Sequence, residues 1–180
     1  LTDDWSDRAL ILVVRDEAME LEREVGLAII QIDEPAFREG LPLKARDHSE
    51  YLNWAIRAFR LASSGVAPST QVHTHMCYAE FQDILHAIVA LDVDVISIED
   101  ARSHGEMLEV LGKEEYPGDV GPGVWDVHAP HVPSVDFIAA KLRKTLQCLP
   151  RDQVWVNPDC GLKTRKYEEV IPSLKNIVEA

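Results

Sequence analysis

Residues 71–100, QVHTHMCYAEFQDILHAIVALDVDVISIED, are the stretch of sequence that decides the fold class. The stretch begins and ends with short runs, 71–78 and 93–100, that are typical of buried strands in length and composition. Residues 79–91 between them read as a helix. A strand, a helix and a second strand joined by short connections indicate an α/β domain with a parallel sheet.

The same alternation of strand and helix extends from this stretch toward both ends of the chain. Five strands are predicted in all, at 26–33, 71–78, 93–100, 123–129 and 153–158. Six helices are predicted, at 7–25, 48–64, 79–91, 106–111, 134–149 and roughly 166–179. Ser134 is predicted to cap the fifth helix. The order is therefore one helix followed by five strand–helix units, with no linker that splits the chain.

Such a pattern is compatible with an open doubly wound sheet or with part of an eight-stranded barrel. A P-loop or a GxGxxG fingerprint after the first strand would favour the open sheet, and the sequence has neither. The one glycine-rich stretch, GPG at 121–123, precedes a predicted strand, so we predict a turn there.

The composition narrows the range of functions. The 180 residues include 18 basic and 31 acidic ones, and the formal charge of -13 argues against a nucleic-acid partner, because phosphate neutralisation needs Lys and Arg. No run approaches the roughly 20 apolar residues of a membrane helix, so no membrane partner is expected. Three cysteines are too few for a disulfide scaffold, and no signal peptide is predicted. We expect a cytoplasmic, reducing location.

Residues able to do chemistry collect where the predicted strands end. They are Asp33 and Glu34, then His75 and Cys77, Glu99 and Asp100, Asp126 and His128, and Asn157, Asp159 and Cys160. The carboxyl ends of parallel strands lie on one face of an α/β fold, and that face carries the active site. The sequence therefore predicts one functional rim to which every strand end contributes.

Part of this rim has the residue types of a metal site. His73, His75 and Cys77 lie on one face of a strand, because residues two apart point to the same side. Glu99 ends the next strand and Cys160 follows the last one. Two thiolates, an imidazole and a carboxylate suit Zn²⁺, with His73 as a neighbour of the site. The spacing alone leaves open a structural role, with buried cysteines and hydrogen-bonded histidines.

Other residues also have two interpretations each. Asp33 and Glu34 form either a carboxylate pair for a substrate or a solvated turn. His128 is either a general acid, since histidine titrates nearest to neutral pH, or a hydrogen-bonded histidine at a strand end. Cys148 is expected to be a small core residue in a helix.

Five blocks of the sequence carry a family resemblance. They are IIQIDEPAFREGLPL (29–43), QVHTHMCYAEFQDI (71–84), VISIEDARS (95–103), GPGVWDVHAPHVPS (121–134) and WVNPDCGLKTR (155–165). In order and spacing they resemble the catalytic domain of cobalamin-independent methionine synthase, the 5-methyltetrahydropteroyltriglutamate–homocysteine methyltransferase family. HTHMCY and WVNPDCGLKTR are the most specific blocks. The resemblance covers about residues 7–180.

The resemblance implies a fold and a reaction. The fold is a (β/α)8 TIM barrel, of which the five predicted strands match roughly the fourth to the eighth. The reaction is the zinc-dependent transfer of the N5-methyl group of 5-methyltetrahydropteroyltri-L-glutamate to the thiolate of L-homocysteine, which gives L-methionine.

The resemblance also implies roles for individual residues. It implies that the Zn²⁺ ligands are His75, Cys77, Glu99 and Cys160. Asp33 matches the aspartate that meets the amino group of homocysteine, and Glu39 matches a glutamate that contacts the folate. His128 matches the proton donor. We expect Asp126, two residues earlier, to orient or charge-stabilise His128.

The chain departs from the family in its length. Residues 1–180 are expected to form a single partial domain, without the N-terminal domain and the first strands of the catalytic barrel. Because five strands cannot close an eight-stranded barrel, we expect the chain to self-associate or to pair with the missing part. Low activity is expected of the chain alone. Two other functions stay open: a non-catalytic zinc-binding fragment, and a related zinc methyltransferase with another thiol or methyl donor.

Overall fold

The structure, a computed structural model, describes residues 5–34, 37–77, 82–103 and 105–180, with only the backbone described for 5–7. Helices and strands alternate along these ranges. The α-helices are α1 (Trp5–Val25), α2 (His48–Ser63), α3 (Leu85–Val89), α4 (Glu106–Lys113), α5 (Val135–Cys148) and α6 (Tyr167–Glu179). The strands are β1 (Ile29–Gln31), β2 (Gln71–Met76), β3 (Val95–Ile98) and β4 (Asp119–Pro122). None of the described helices is long and apolar enough to cross a membrane.

The four strands belong to one sheet, and their order across it, β1-β2-β3-β4, is their order along the chain. β1 pairs with β2 in parallel. Beyond β4, isolated parallel bridges join Val120 to Val154 and Gly123 to Asn157. Because a helix separates each strand from the next along the chain, the predicted α/β class is confirmed.

The chain divides into two compact units, 1–75 with 83–95 and 76–82 with 96–180, of which only the described residues are discussed. In the first unit, α2 contacts both α1 and α3. Ile30 of β1 lies opposite Val72 of β2, and both side chains are buried. This pairing fixes the register of the first two strands, since a slip by one residue would turn their apolar side chains outward.

In the second unit, α5 contacts α4 and α6. Its core holds three residues of the segment after β4 together with one residue each from α5 and α6: Val124, Trp125, Val127, Ile138 and Ile177. Burial of these apolar side chains is the main favourable contribution to the stability of this unit.

The fourth strand lies upstream of its predicted position at 123–129. Both Gly121 and Pro122 belong to β4, and Gly123 forms a bridge, so the predicted turn at GPG is wrong. A Cβ on Gly121 would lie 2.2 Å from Asn157 Oδ1. Glycine at this position therefore permits a close approach of the neighbouring segment within the sheet, instead of a change in chain direction.

The fifth predicted strand, 153–158, forms only isolated bridges, so the prediction of five complete strands is wrong. Trp155 N–H donates to Val120 O at 2.9 Å, which keeps the segment beside β4. Pro158 has no N–H to donate, and its carbonyl accepts from Asn157 Nδ2 at 3.0 Å. The ladder of backbone hydrogen bonds is interrupted there.

The third predicted helix, 79–91, is described only in part. A 3₁₀ turn covers Gln82–Ile84, and α3 follows over Leu85–Val89. Residues 78–81 lie outside the described ranges.

Ser134 caps α5 as predicted, and its Oγ accepts the N–H of Phe137 at 3.2 Å. We expect Ser134→Ala to lower the free energy of unfolding by about 1 kcal/mol, because this N–H loses its acceptor. Urea unfolding followed by far-UV circular dichroism would measure the change. Ser134→Asp, which keeps an acceptor, is the matched control and should stay near the wild type. Equal midpoints for Ser134→Ala and the wild type would contradict the role of the cap.

Candidate metal centre

Four side chains bring metal-binding atoms together at the ends of neighbouring strands. His75 is the fifth residue of β2, and Cys77 directly follows the end of that strand. Glu99 directly follows β3, and Cys160 comes shortly after the bridge at Asn157. One ligand atom from each of the four lies within 4.8 Å of the others. The four residues that the family resemblance implies as ligands are thus close together.

The charges within this cluster favour a cation. Cys160 Sγ donates to Glu99 Oε1 at 2.8 Å. Burial raises the pKa of the Cys160 thiol to about 12, and the Glu99 carboxylate and Cys77 act in the same direction. The protein alone therefore holds this thiol protonated at neutral pH. A bound cation would instead favour the thiolate form of Cys160, because a thiol that coordinates a metal is deprotonated.

The donor set fits a zinc ion. It offers one nitrogen, two sulfurs and one oxygen, and structural and catalytic zinc sites use these ligand types. Zinc–ligand bonds of about 2.0–2.3 Å in a tetrahedron place the ligand atoms about 3.3–3.8 Å apart. Donor atoms within 4.8 Å of one another need only small side-chain adjustments to reach that spacing. No second group of this kind occurs in the part of the chain that the structure describes.

Asp33 lies just past β1, beside the end of β2. The N–H of the next residue, Glu34, donates to His75 O at 3.3 Å, which ties this segment to the strand that carries His75. The Asp33 side chain is exposed, and its Oδ1 accepts from Gln31 Nε2 at 2.7 Å. An exposed carboxylate held in this way is available to a cationic group of a ligand. His73 Nε2 lies 3.0 Å from Gln71 Oε1, and His73 is not one of the four clustered residues.

Glu39 is exposed and lies in a turn at 37–40. The pKa of Tyr51 is raised by burial first and then by the charges of Glu34 and Glu39, so both carboxylates lie near this phenol. Glu39 is thereby placed in the first unit, with Asp33.

His128 is exposed and follows the buried Val127 in a turn. A Cβ on Gly161 would lie 3.6 Å from His128 Cε1 and 3.7 Å from Nε2, so the imidazole rests against the residue that follows Cys160. Gly161 has φ +102°, a conformation that favours glycine. The second unit therefore places His128 close to one of the clustered cysteines.

Asp126 holds His128 through the backbone, whereas the sequence suggested that it orients the ring. Its Oδ1 accepts the N–H of His128 at 2.9 Å. Arg102 donates to the same carboxylate through Nε at 2.7 Å and through Nη2 at 3.1 Å. Asp126 thus fixes the turn on which His128 stands. Arg102 lies within the block VISIEDARS, but its partner is 24 positions away along the chain, so periodicity does not predict this ion pair.

Asp126→Asn is expected to reduce stability in a pH-dependent way. The Arg102 guanidinium holds the pKa of Asp126 below its usual range. A lowered pKa contributes stability above the unfolded value of about 3.9, and this stability is lost as the pH falls through the lowered pKa. Asp126→Asn should therefore be less stable than the wild type at pH 7, and the two should converge in acid. Urea midpoints at pH 7 and pH 3 would measure this, and a constant offset would contradict it.

Asp159 is a buried carboxylate next to the cluster, and the sequence alone assigns it no particular role. It is 5% exposed, and its Oδ1 accepts the N–H groups of Asp100 at 3.2 Å and Ala101 at 3.3 Å. Burial raises the pKa of Asp159 to about 6, against the effect of these two bonds. Lys141 Nζ donates to Ala101 O at 2.8 Å, and burial lowers the pKa of Lys141. The sequence indicates a role for Asp159 only through its position at the end of a predicted strand.

The fold and the cluster together define a class of protein: an α/β domain with a parallel sheet that presents a candidate metal centre at its strand ends. The model of the family described as "Cobalamin-independent synthase, Catalytic domain" matches residues 5–180. The chain belongs to this family.

Curated relatives support the assignment. The chain is 55% identical over 173 residues to a protein of Salinibacter ruber and 56% identical over 171 residues to a protein of Trichodesmium erythraeum. Both are named 5-methyltetrahydropteroyltriglutamate–homocysteine methyltransferase. The matches cover 96% and 95% of this chain but only 22% and 23% of the relatives. The chain thus spans less than a quarter of the length of these relatives.

Solved structures show the same fold. A B12-independent methionine synthase from Shewanella sp. W3-18-1, in complex with selenomethionine, matches with a TM-score of 0.75 at 24% identity, over 94% of this chain and 51% of that one. A putative vitamin-B12 independent methionine synthase from Listeria monocytogenes matches with a TM-score of 0.70 at 16% identity, over 96% and 53%. At these identities the likeness supports the fold alone.

Proposed function

We propose that this chain is the zinc-bearing part of an enzyme that transfers the N5-methyl group of 5-methyltetrahydropteroyltri-L-glutamate to L-homocysteine and so forms L-methionine. The observation that carries the proposal is the convergence of His75, Cys77, Glu99 and Cys160 to within 4.8 Å. The names of the curated relatives supply the reaction and its substrates.

These four residues would hold the metal. When bound, Zn²⁺ lowers the pKa of a thiol that reaches it, and a thiolate is the reactive nucleophile for methyl transfer. Two of the protein's own sulfurs and a carboxylate make the donor set electron-rich, which suits the activation of an incoming sulfur. Glu99 also holds Cys160 through the 2.8 Å contact, so these two ligands are pre-arranged.

Asp33 and Glu39 are proposed to contact the two substrates. The exposed carboxylate of Asp33, held by Gln31, would accept the ammonium group of homocysteine. The exposed Glu39, in the turn at 37–40, would contact the folate. Each carboxylate binds and orients a substrate, and orientation of two reactants contributes several kcal/mol to a bimolecular step.

His128 is proposed as the proton donor. The amine that loses its methyl group is a poor leaving group unless it is protonated, so an acid is needed at or before transfer. The imidazole is exposed to solvent and rests against Gly161, next to Cys160. Its backbone is held by Asp126, whose carboxylate is in turn held by Arg102.

We propose that the chain works together with additional polypeptide. β1 is an edge strand of the described sheet, and Ile29 on it is 48% exposed. Exposed strand edges are sites of pairing with other chains. The partner is a second copy of this chain or the part of the relatives' length that it does not match. Cys77, Cys148 and Cys160 form no disulfide, which suits a reducing compartment such as the cytoplasm.

A reconstitution assay tests the proposed reaction. The chain, loaded with zinc, is mixed with the separately expressed remainder of the Salinibacter ruber relative, and methionine is measured after addition of homocysteine and the methyl-folate. We expect methionine only when the chain and both substrates are present, and little from the chain alone. Zinc binding without methionine formation in the mixture would contradict methyl transfer and favour a non-catalytic metal-binding role.

A further inference from the structure

One oxygen atom of Asp159 joins the two segments that carry neighbouring metal-binding residues. Asp159 directly precedes Cys160, and its Oδ1 accepts the N–H groups of Asp100 and Ala101 at 3.2 and 3.3 Å. These two residues directly follow Glu99. The bonds lie within one compact unit and cross 59 and 58 positions of the chain. Asp159 therefore links Glu99 and Cys160 through the residues next to them.

The backbone of Asp159 is anchored independently of its side chain. Its N–H donates to Trp125 O at 2.9 Å, and Trp125 is a buried member of the core of this unit. Two residues earlier, Asn157 O accepts the N–H of Val124 at 2.9 Å. The carboxylate thus reaches residues 100–101 from a fixed support, so its two bonds constrain the position of that segment.

Gly123 leaves the space that this carboxylate occupies. A Cβ on Gly123 would lie 1.7 Å from Asp159 Oδ1 and 3.0 Å from its backbone nitrogen. Gly123 is itself fixed, because its N–H donates to Ile98 O at 2.9 Å, one residue before Glu99. Any side chain at this position would push the carboxylate away from residues 100–101, since real Cβ atoms do not approach other atoms so closely.

Lys141 holds the opposite side of the same segment. Its Nζ donates to Ala101 O at 2.8 Å, while the Ala101 N–H donates to Asp159. The main-chain groups of Ala101 are therefore fixed on both sides, by one carboxylate and one ammonium group. A shift of residues 100–101 would break the bond from Lys141 or the bond to Asp159, and both are charge-assisted.

We propose that Asp159 is a positioning residue that sets the separation of Glu99 from Cys160, with Lys141 holding the other side of the segment that follows Glu99. The inference rests on the proposed metal centre. The pair it positions is already close, with Cys160 Sγ 2.8 Å from Glu99 Oε1. Metal ligands must be held to within about 0.5 Å of their working geometry by the groups around them. Asp159 supplies that support without binding the metal.

The test compares Zn²⁺ affinity in Asp159→Ala and Asp159→Asn, measured on the full chain by competition with a chromophoric chelator. Because both N–H bonds go to Oδ1, the amide oxygen of Asn can accept both of them. We expect Asp159→Ala to weaken zinc binding about 10–100-fold and Asp159→Asn to stay within about threefold of the wild type. Equal weakening in both variants would overturn the positioning role and indicate an effect of charge.

A spectroscopic signature separates positioning from general destabilisation. With Co²⁺ in place of Zn²⁺, the visible bands report the arrangement of the ligands around the ion. We expect Asp159→Ala to shift these bands in position and intensity, while Asp159→Asn keeps the wild-type spectrum. A folded Asp159→Ala variant with the wild-type Zn²⁺ affinity and Co²⁺ spectrum would refute the proposal.

Two further variants keep the test decisive. Asp119→Ala is the matched control, since it removes a carboxylate that accepts Trp155 Nε1–H at 2.9 Å in the same unit, away from residues 100–101. It should leave Zn²⁺ affinity unchanged.

If Asp159→Ala does not fold, Lys141→Met tests the same segment and should weaken zinc binding several-fold. Wild-type zinc affinity in Lys141→Met would overturn the inference. If the wild type binds no zinc, the proposed metal centre itself fails.

Discussion

Replacement of Cys160 by Ser is expected to weaken zinc binding by about 10²–10³-fold. Apparent binding free energies of structural zinc sites are about 10–16 kcal/mol, and loss of one ligand of four removes about a quarter of that, or about 2.5–4 kcal/mol. The Ser hydroxyl is a poor substitute, because it lacks the soft, readily deprotonated sulfur that zinc prefers. Chelator competition on the full chain in the presence of a reductant measures the change.

Cys148 provides a matched control for this substitution. It lies at the end of α5, is only partly buried, and is not one of the four clustered residues. Cys148→Ser changes the same functional group elsewhere, so we expect it to bind zinc as the wild type does. Equal losses in the two serine variants would mean that thiol loss acts through stability, and the cluster would not be the metal centre.

His128→Gln is expected to lower methyl transfer by about 10²–10⁴-fold, the usual contribution of a general acid. The proposed proton donor is lost, while the Gln side chain retains hydrogen-bonding capacity at the turn that Asp126 fixes. The reconstituted assay with the remainder of a relative measures the rate. Zinc affinity should not change, since His128 is outside the four-residue cluster.

His131 is the control for His128→Gln. It lies three positions further along the chain and is also exposed. His131→Gln should leave the rate within about threefold of the wild type, because only a group that reaches the leaving amine can assist it. A His128→Gln variant with the wild-type rate would show that another group donates the proton.

The position of the candidate metal centre can be predicted from the sequence, because chemically active residues collect where the predicted parallel strands end. The residues of the cluster lie at or just after the ends of β2, β3 and the bridged segment 153–158, as expected when parallel strands place their carboxyl ends on one face. The helical period of α5 and its Ser134 cap are also local signals, and the structure confirms both. The ligand set was specified further by the family blocks around HTHMCY and DCGLKTR.

The parts that sequence reasoning missed depend on contacts between distant segments. The sequence predicts a turn at Gly121 and Gly123. In the structure their lack of a side chain instead makes room for Asn157 and Asp159. No local window contains both partners of such a contact, so hydrophobic periodicity cannot reveal it. Arg102 and the pair formed by Lys141 and Ala101 were missed for the same reason, since their partners lie 24 and 40 positions away.

The metal centre is tested most directly by zinc analysis of the purified full chain, combined with X-ray absorption at the zinc edge. We predict one zinc ion per chain with two sulfur and two nitrogen or oxygen neighbours, as His75, Cys77, Glu99 and Cys160 would supply. A chain that retains no zinc, or a zinc ion surrounded only by oxygen and nitrogen, would contradict the proposed centre.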